Sequence, residues 1–223
     1  MDVEKARFNM IEQQIRPWDV LDLEVLDLLT VVKREAFVPA AYSSLAFVDM
    51  EIPLLAGAAE NQHMLAPKVE ARLMQELAVR NHESVLEIGA GSGYMAALLA
   101  CRACHVTTVE IDPRLADTAR ANLTAQGVLN ADVVLGDGAR GWSGAQGYDV
   151  ICISGSLPVL PEAYLKLLNP GGRLAAFVGG VPVMEAKLIT RTGSGAGDFT
   201  SVNLFETSVA PLTNTATPSK FRF

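Results

Sequence analysis

One short segment, residues 85–94, carries residue types and spacings that favour cofactor binding. An apolar run containing Glu87 leads into a glycine-rich turn, and a run of helix-compatible residues follows. The turn comprises Gly89, Ala90, Gly91, Ser92 and Gly93. A buried strand, a glycine turn and the start of a helix favour a nucleotide site, because the N–H groups of such a turn are expected to point outward.

Two details of this segment indicate which nucleotide it binds. In the dinucleotide fingerprint the third glycine comes three residues after the second, whereas here Gly93 comes two residues after Gly91. The carboxylate of Glu87 would repel a pyrophosphate but suits a ligand with ammonium and sulfonium charges. S-adenosylmethionine (SAM) has both charges, so the segment predicts SAM. The alternatives are a dinucleotide and a glycine-rich turn that binds no ligand.

Polar residues at the ends of three later apolar runs extend this site. Ligands of parallel sheets bind beyond the carboxyl ends of the strands, so Glu110 is predicted to accept hydrogen bonds from ribose hydroxyls, and Ile111 to flank the adenine. Asp137, followed by Gly138, is predicted to accept from the adenine amino group, although Asp-Gly is also a common turn pair. Ser154 lies in a run of small residues that either leaves room for a substrate or is ordinary loop.

Alternating strand and helix patterns are expected to position these residues. Strands are predicted at residues 84–88, 105–110, 131–135, 148–153 and 173–177, helices at 67–79, 92–101, 114–126 and 160–168, and a closing hairpin at 183–192 and 199–206. Residues 169–172 are predicted to form a turn and residues 57–67 a loop. The alternation implies right-handed βαβ units, and therefore an α/β fold with a mostly parallel, seven-stranded sheet.

The segments on either side of this alternation have a different character. Helical patterns at residues 4–16, and from an N-cap at Asp19 to about residue 34, predict an N-terminal helical extension. We therefore divide the chain into three parts. Residues 1–66 form the extension, residues 67–209 form the SAM-binding core, and residues 210–223 form an irregular tail that ends in two aromatic residues.

Composition excludes several classes of function. The chain has 223 residues and a net charge of −7, without a basic stripe, so no nucleic-acid partner is expected. It has no apolar run of membrane-spanning length and no signal-peptide pattern, which predicts a cytoplasmic protein without a membrane partner. Cys101, Cys104 and His105 match the haem-attachment pattern, but three cysteines without an export signal favour reduced thiols. No metal site is predicted.

Six segments resemble protein-L-isoaspartate O-methyltransferases, in the same order along the chain. They are residues 12–16 (Glu-Gln-Gln-Ile-Arg), 31–39, 85–94, 136–138 (Gly-Asp-Gly), 141–142 (Gly-Trp) and 170–174 (Pro-Gly-Gly-Arg-Leu). The resemblance implies a doubly wound sheet with modified terminal strands and an N-terminal helical subdomain on the substrate side. It also implies SAM-dependent methyl transfer to the carboxylate of isoaspartyl residues in damaged proteins.

The loop before the helix at residue 67 departs from this family's pattern, which usually reads Gly-Gln-Thr-Ile-Ser-x-Pro. Its counterpart here is Asn61-Gln62-His63-Met64-Leu65-Ala66-Pro67, in which a histidine and a leucine replace the two hydroxyl residues. In the family these hydroxyls line the place where cofactor methyl and substrate carboxylate meet. The resemblance therefore puts Asn61, Met64 and Leu65 on the substrate side and makes Gln62 and His63 candidate catalytic residues.

The histidine in this loop leaves the methyl acceptor open. An imidazole can deprotonate a hydroxyl, an amine or a thiol, contact the substrate or cofactor, or only hydrogen-bond its own loop. Three functions follow from these alternatives. The chain is an isoaspartyl carboxyl methyltransferase, a family member that methylates a small molecule or another protein group, or a SAM-binding module without isoaspartyl activity.

Overall fold

The computed structural model describes residues 2–55, 62–143, 147–195 and 197–216. Its helices are α1 (Val3–Met10), α2 (Leu23–Val31), α3 (Pro67–Leu77), α4 (Tyr94–Ala100), α5 (Pro113–Ala125) and α6 (Glu162–Leu167). Its strands are β1 (Ile52–Pro53), β2 (His63–Met64), β3 (Ser84–Ile88), β4 (His105–Glu110), β5 (Ala131–Leu135), β6 (Tyr148–Leu157), β7 (Leu168–Gly180), β8 (Val183–Arg191) and β9 (Phe199–Glu206).

Seven of the strands form one sheet, in the order β5-β4-β3-β6-β7-β8-β9. The strands from β5 to β7 are parallel to their neighbours, whereas β8 and β9 add an antiparallel hairpin. This confirms the predicted doubly wound, mostly parallel, seven-stranded α/β fold. The direction of the strand order reverses between β3 and β6, so a ligand crevice is expected beyond the carboxyl ends of these two strands.

Four strands have the bounds that the sequence predicts, namely β3, β4, β5 and β9. β6 and β7 are longer than predicted, and the predicted turn at residues 169–172 lies inside β7. It forms an irregularity in the ladder, because the pairing shifts from Tyr148 with Leu168 to Val150 with Arg173. A second shift, between Cys152 and Ser156 of β6, lies at the carboxyl end of that strand, beside the crevice.

The N-terminal segment differs from its prediction in two places. The helix predicted over residues 4–16 ends at Met10 and continues as a π-helical turn, Ile11–Ile15. Asp19 is not an N-cap: its φ is 60°, in the left-handed region, and the N-cap of α2 is Asp22. Gln75 of α3 explains the difference. Its amide donates to the Asp19 carbonyl at 2.9 Å and accepts from the Asp22 N–H at 3.0 Å, so a tertiary contact sets where the helix begins.

The predicted loop at residues 57–67 contains a short strand. β2 pairs with β1 in a two-stranded antiparallel ribbon, with Ile52 opposite Met64. The N–H of Leu54 also donates to the Gln62 carbonyl at 2.9 Å. This ribbon fixes where residues 62–65 lie. Asn61, one of the predicted substrate-side residues, and the aromatic end of the tail, residues 221–223, lie outside the described residues.

One hydrophobic cluster joins the N-terminal helices to the sheet, and it includes Met10, Leu29, Leu73, Ala97 and Phe177. The N-terminal segment therefore packs on the core by direct apolar contact, which positions it beside the crevice. None of the described helices has both the length and the apolarity that a bilayer span requires. The three thiols are free, with Cys152 buried and the other two exposed.

Candidate active site

Two adjoining spaces lie beyond the carboxyl ends of β3 and β6. The larger, called the main cavity here, spans about 700 Å³ including the solvent at its mouth, and the smaller, called the chamber, spans about 290 Å³ on the same measure. Predicted site residues that line the main cavity are Gln62, His63, Gly89, Gly91, Glu110, Ile111, Asp137, Gly138 and Ser154. Those that line the chamber are His63, Met64, Leu65, Glu87, Gly89, Ala90, Gly91, Ser92 and Ser154. The fold thus brings together residues from five separate parts of the chain.

The glycine turn does not present a row of free N–H donors, so that expectation is wrong for four of its five residues. The N–H groups of Gly89 and Ala90 donate to the Val109 carbonyl, at 2.8 and 3.3 Å, and that of Gly93 donates to Ala90 at 2.8 Å. The N–H of Gly91 donates to a carboxylate oxygen of Glu110 at 2.9 Å. A phosphate would have to displace these acceptors, which favours a ligand without phosphate.

Gly93 lies outside both spaces, unlike the other turn residues. Its φ is +83°, and a Cβ there would lie 3.2 Å from the Ala119 carbonyl oxygen and 3.3 Å from Leu123. The structure therefore gives this glycine a packing role, since it lets the start of α4 approach α5 closely. Gly91, by contrast, faces the cavity, and a Cβ on it would meet Leu54 at 3.2 Å.

Glu110 holds three backbone N–H groups with its carboxylate. Besides Gly91, they are those of Ile111, at 2.9 Å, and Asp112, at 3.0 Å. A carboxylate has about four acceptor sites, so one remains for the ribose hydroxyl that the sequence predicts as its partner. Glu110 thus also fixes the path of the backbone at Gly91, Ile111 and Asp112.

Asp137 shows the turn role considered for it, and its role as an acceptor for adenine stays a prediction. One carboxylate oxygen accepts from the N–H of Ala139 at 2.9 Å, which is ordinary turn chemistry. The other accepts from the Asn214 side chain at 2.9 Å, and Asp137 lines the main cavity. The next residue must be glycine, because a Cβ on Gly138 would come within 2.7 Å of Ile88. Its carbonyl accepts a hydrogen bond from the Tyr164 hydroxyl.

Glu87 is fully buried beneath the turn. Its carboxyl accepts from the Thr108 hydroxyl at 2.6 Å and from the Ser154 hydroxyl at 3.0 Å. Burial raises the pKa of Glu87 to about 8, and the two hydroxyls oppose this shift. The group is therefore mostly protonated at pH 7 when no cation is beside it, whereas the sequence predicted a carboxylate.

Residues 62–65 face the turn across both spaces. The Gln62 side-chain amide donates to Asp112 at 2.8 Å, and its oxygen is buried with no partner among the described residues. His63 lines both the main cavity and the chamber. Met64 and Leu65 are buried, with 4% and 5% of their surface exposed, so they present an apolar wall where the family carries a hydroxyl.

Two parts of the site are not among the residues predicted from the sequence. The first is a buried ion pair between Arg34 and Glu70, both at most 2% exposed. Arg34 also donates to the Leu65 carbonyl at 2.7 Å and so braces the substrate-side loop. The sequence contains one indication of this pair, namely a carboxyl between the apolar residues Val69 and Leu73 of α3. A buried charge needs a partner, so such a carboxyl indicates one.

The second is the start of the tail, residues 210–213, which lines the main cavity. It runs along β6, where Ser156 donates to the Ala210 carbonyl at 2.9 Å and accepts from the Leu212 N–H at 3.0 Å. Leu212 lies against Gly155, where a Cβ would come within 2.6 Å of it. A Thr- and Pro-rich composition does not predict such docking.

The site fits SAM on observations of its own residues. Gln62 lines the main cavity, and its buried side-chain oxygen is an acceptor without a partner among the described residues. Glu110 and Asp137 place carboxylates where ribose and adenine acceptors are expected, and Leu54 and Leu212 supply apolar walls. The sheet order, the glycine turn and these groups are those of a SAM-dependent methyltransferase.

Comparisons with known proteins agree with this class. The sequence model of the family "Protein-L-isoaspartate(D-aspartate) O-methyltransferase (PCMT)" matches residues 5–216. The chain is 39% identical over 203 residues to a protein-L-isoaspartate O-methyltransferase of Rhodopseudomonas palustris, with 91% of each chain covered. It is 38% identical over 190 residues to one of Methanoculleus marisnigri, covering 85% of this chain and 84% of that one. The chain belongs to the protein-L-isoaspartate O-methyltransferase family.

Solved structures share the fold. One protein-L-isoaspartate O-methyltransferase superposes with a TM-score of 0.80 at 23% identity, covering 95% of this chain and 66% of that one. A beta-aspartate methyltransferase (PCMT) from Plasmodium falciparum, in complex with S-adenosyl-L-homocysteine, superposes with a TM-score of 0.77 at 16% identity, covering 96% and 100%.

Proposed function

We propose that this protein transfers a methyl group from SAM to the carboxylate of isoaspartyl residues in damaged proteins or peptides. The position of residues 62–65 carries the proposal. In a chain that belongs to this family, these residues line the same two spaces as the glycine turn, which supports a substrate-side loop opposite the cofactor side.

An acceptor carboxylate needs no general base from this site. A free carboxyl has a pKa of about 4 and is already ionised at neutral pH. SAM supplies an electrophilic methyl group on a sulfonium when it is bound. The contribution of the chain is then to align the acceptor with that methyl group and to exclude water. Leu54, Met64, Leu65 and Leu212 are placed for the second task, because each lines at least one of the two spaces.

The residues that would hold SAM follow from the walls of the main cavity. Glu110 and Asp137 would accept hydrogen bonds from the adenosine part, and Ile111 would lie against its ring. Gly89 and Gly91 let the backbone come close to the ligand without a side chain between them. Ser154, tied to Glu87, keeps the carboxyl end of β6 small, which leaves room for the acceptor.

A second acceptor class is favoured by one observation. The side chain of His63 lines both spaces, whereas the Leu65 side chain offers no hydroxyl to bind a carboxylate. An imidazole there is placed to take a proton from a hydroxyl, amine or thiol of a small molecule or a protein. That acceptor would need a base, and replacing His63 by glutamine would then abolish transfer.

The test is a methylation assay with an isoaspartyl peptide and the matched aspartyl peptide, each with SAM. We expect a base-labile methyl ester and S-adenosylhomocysteine with the first peptide only. SAM binding without ester on either peptide would overturn the isoaspartyl proposal. In that case the double variant His63→Thr/Leu65→Ser, which restores both hydroxyls, tests whether the loop is the cause. A protein that binds SAM but yields no S-adenosylhomocysteine with any acceptor is a binding module.

A further inference from the structure

The chamber behind the glycine turn contains two buried carboxyl groups, from Glu70 and Glu87. It shares Leu54, Gly89 and Gly91 with the main cavity, so the two spaces adjoin. The acceptors expected for adenosine, Glu110 and Asp137, line the main cavity and not the chamber. If adenosine occupies the main cavity, the chamber is the adjoining space available to the methionyl arm of SAM.

Glu70 has no part in the mechanism proposed above, yet it is held firmly in place. It is 2% exposed, and the Arg34 guanidinium donates to its carboxyl. Arg34 is itself fixed, since it donates to the Leu65 carbonyl at 2.7 Å and lies 5.3 Å from the Tyr94 ring centroid. A carboxyl group at the wall of a cofactor cavity, braced in this way, is positioned to bind a ligand group.

Charged and titratable groups face the two carboxyls from every neighbouring element. Around Glu70 they are Arg34, Tyr94, His63 and Glu87, and around Glu87 they are Glu70, Glu110 and Cys152, with the hydroxyls of Thr108 and Ser154. Arg34 is the single permanent cation among them, and it is shared with the Leu65 carbonyl. The groups around the chamber therefore include more acids than bases, and a ligand cation would balance the charge of Glu70 and Glu87 once these carboxyls are ionised.

We propose that Glu70, together with Glu87, binds the α-ammonium group of the methionyl arm of SAM, and that cofactor binding releases protons from these two carboxyls. The inference rests on the proposed function, because it takes SAM as the cofactor. The ammonium group stays protonated. Each carboxyl that ionises beside the ammonium group becomes a carboxylate and releases one proton to the solvent.

The protonation of the two groups supports this balance. Burial raises the pKa of Glu70 to about 7 and that of Glu87 to about 8, so at pH 7 Glu70 is about half protonated and Glu87 is mostly protonated. A cation in contact with a carboxyl favours its charged form. Binding of an ammonium group at pH 7 is therefore expected to release about one proton in total, and binding at pH 9 almost none.

Titration calorimetry in buffers of different ionisation enthalpy measures this release. The ligands are SAM, S-adenosylhomocysteine and methylthioadenosine, which lacks the aminocarboxypropyl arm. We expect about one proton released at pH 7 with each of the first two, and none with the third. SAM binding without proton release, or the same release with methylthioadenosine, would overturn the inference.

Variants assign the protons to residues. Glu70→Gln keeps a neutral acceptor for Arg34, and it should weaken SAM and S-adenosylhomocysteine binding about tenfold while leaving methylthioadenosine affinity the same. It should also lower the proton release. The matched control is Glu76→Gln on the same helix, whose carboxylate pairs with Arg72 at 2.7 Å; it should change neither quantity. His63→Gln should retain the release. If Glu70→Gln does not fold, the proton release measured with the three ligands on the unmodified protein tests the inference instead.

The outcomes separate this inference from the proposed function. SAM binding and ester formation without proton release would overturn the inference alone. Proton release with SAM, but no ester on the isoaspartyl peptide, would support the inference and overturn the proposed acceptor. A protein that does not bind SAM would overturn both.

Discussion

The packing role of Gly93 leads to a prediction with an internal control. Gly93 and Gly127 both have left-handed backbones, with φ of +83° and +69°. A Cβ on Gly127 would meet nothing within 4 Å, whereas one on Gly93 would press on the Ala119 backbone and on Leu123, at 3.2 to 3.3 Å. Alanine at Gly127 therefore reports the backbone cost, and alanine at Gly93 reports that cost plus a steric one.

The magnitudes follow from these two terms. A left-handed conformation costs an L-residue about 1–2 kcal/mol, partly offset by the lower entropy of the unfolded chain. Gly127→Ala should therefore lower the free energy of unfolding by about 1 kcal/mol. Overpacking costs a further ~1–3 kcal/mol where backbone must move. Gly93→Ala should thus lower the free energy of unfolding by about 2–4 kcal/mol in total.

Urea unfolding, followed by circular dichroism with linear extrapolation, measures both losses. The comparison requires that the free energy of unfolding falls with urea concentration at a similar slope in the two variants. Equal losses of stability would refute the reasoning, because they would mean that α4 and α5 adjust to the extra methyl group without cost.

Two further predictions concern the buried carboxyls. Arg34→Met should cost about 1–3 kcal/mol of unfolding free energy, because it leaves the buried Glu70 carboxyl and the Leu65 carbonyl without their donor, and Arg34→Met/Glu70→Leu should recover part of that loss; equal losses in the single and double variants would contradict this. The second concerns pH. The folded-state pKa of Glu87, about 8, lies above its ordinary 4.5, so its contribution to stability is complete below pH 4.5 and is lost as the pH rises through 8. Glu87→Gln should therefore flatten the fall in stability between pH 5.5 and 8.5, by up to ~1.4 kcal/mol per pH unit; urea midpoints across that range measure the slope, and an unchanged slope would count against the buried carboxyl.

Local patterns predict those parts of the fold whose cause is local. The apolar runs of β3, β4 and β5 are bounded by turn residues, and their ends agree with the structure. Features set by distant partners are missed. Asp19 resembles an N-cap, but Gln75, 56 residues later, holds its carbonyl and moves the helix start to Asp22.

The candidate site divides in the same way. Residues next to the glycine turn and at the strand ends are found because the fold brings strand ends together whatever the side chains are. The Arg34–Glu70 pair spans 36 residues, and the contact of Asn214 with Asp137 spans 77. Neither has a spacing that periodicity can reveal, so both require the structure.

The hydrogen bonds of the glycine turn explain how a common type of turn is directed to SAM and away from phosphate. Glu110, at the end of β4, occupies the Gly91 N–H with a carboxylate oxygen. A phosphate at that position would lose its donor and meet a negative charge, whereas a ribose hydroxyl can donate to the remaining acceptor site. Glu87 beneath the turn adds a group that is neutral when the site is empty and becomes charged beside a cation. The specificity of this site therefore comes from the carboxyls around the glycines. A site with the same three glycines but apolar residues at positions 87 and 110 would lose its preference for SAM over phosphate ligands.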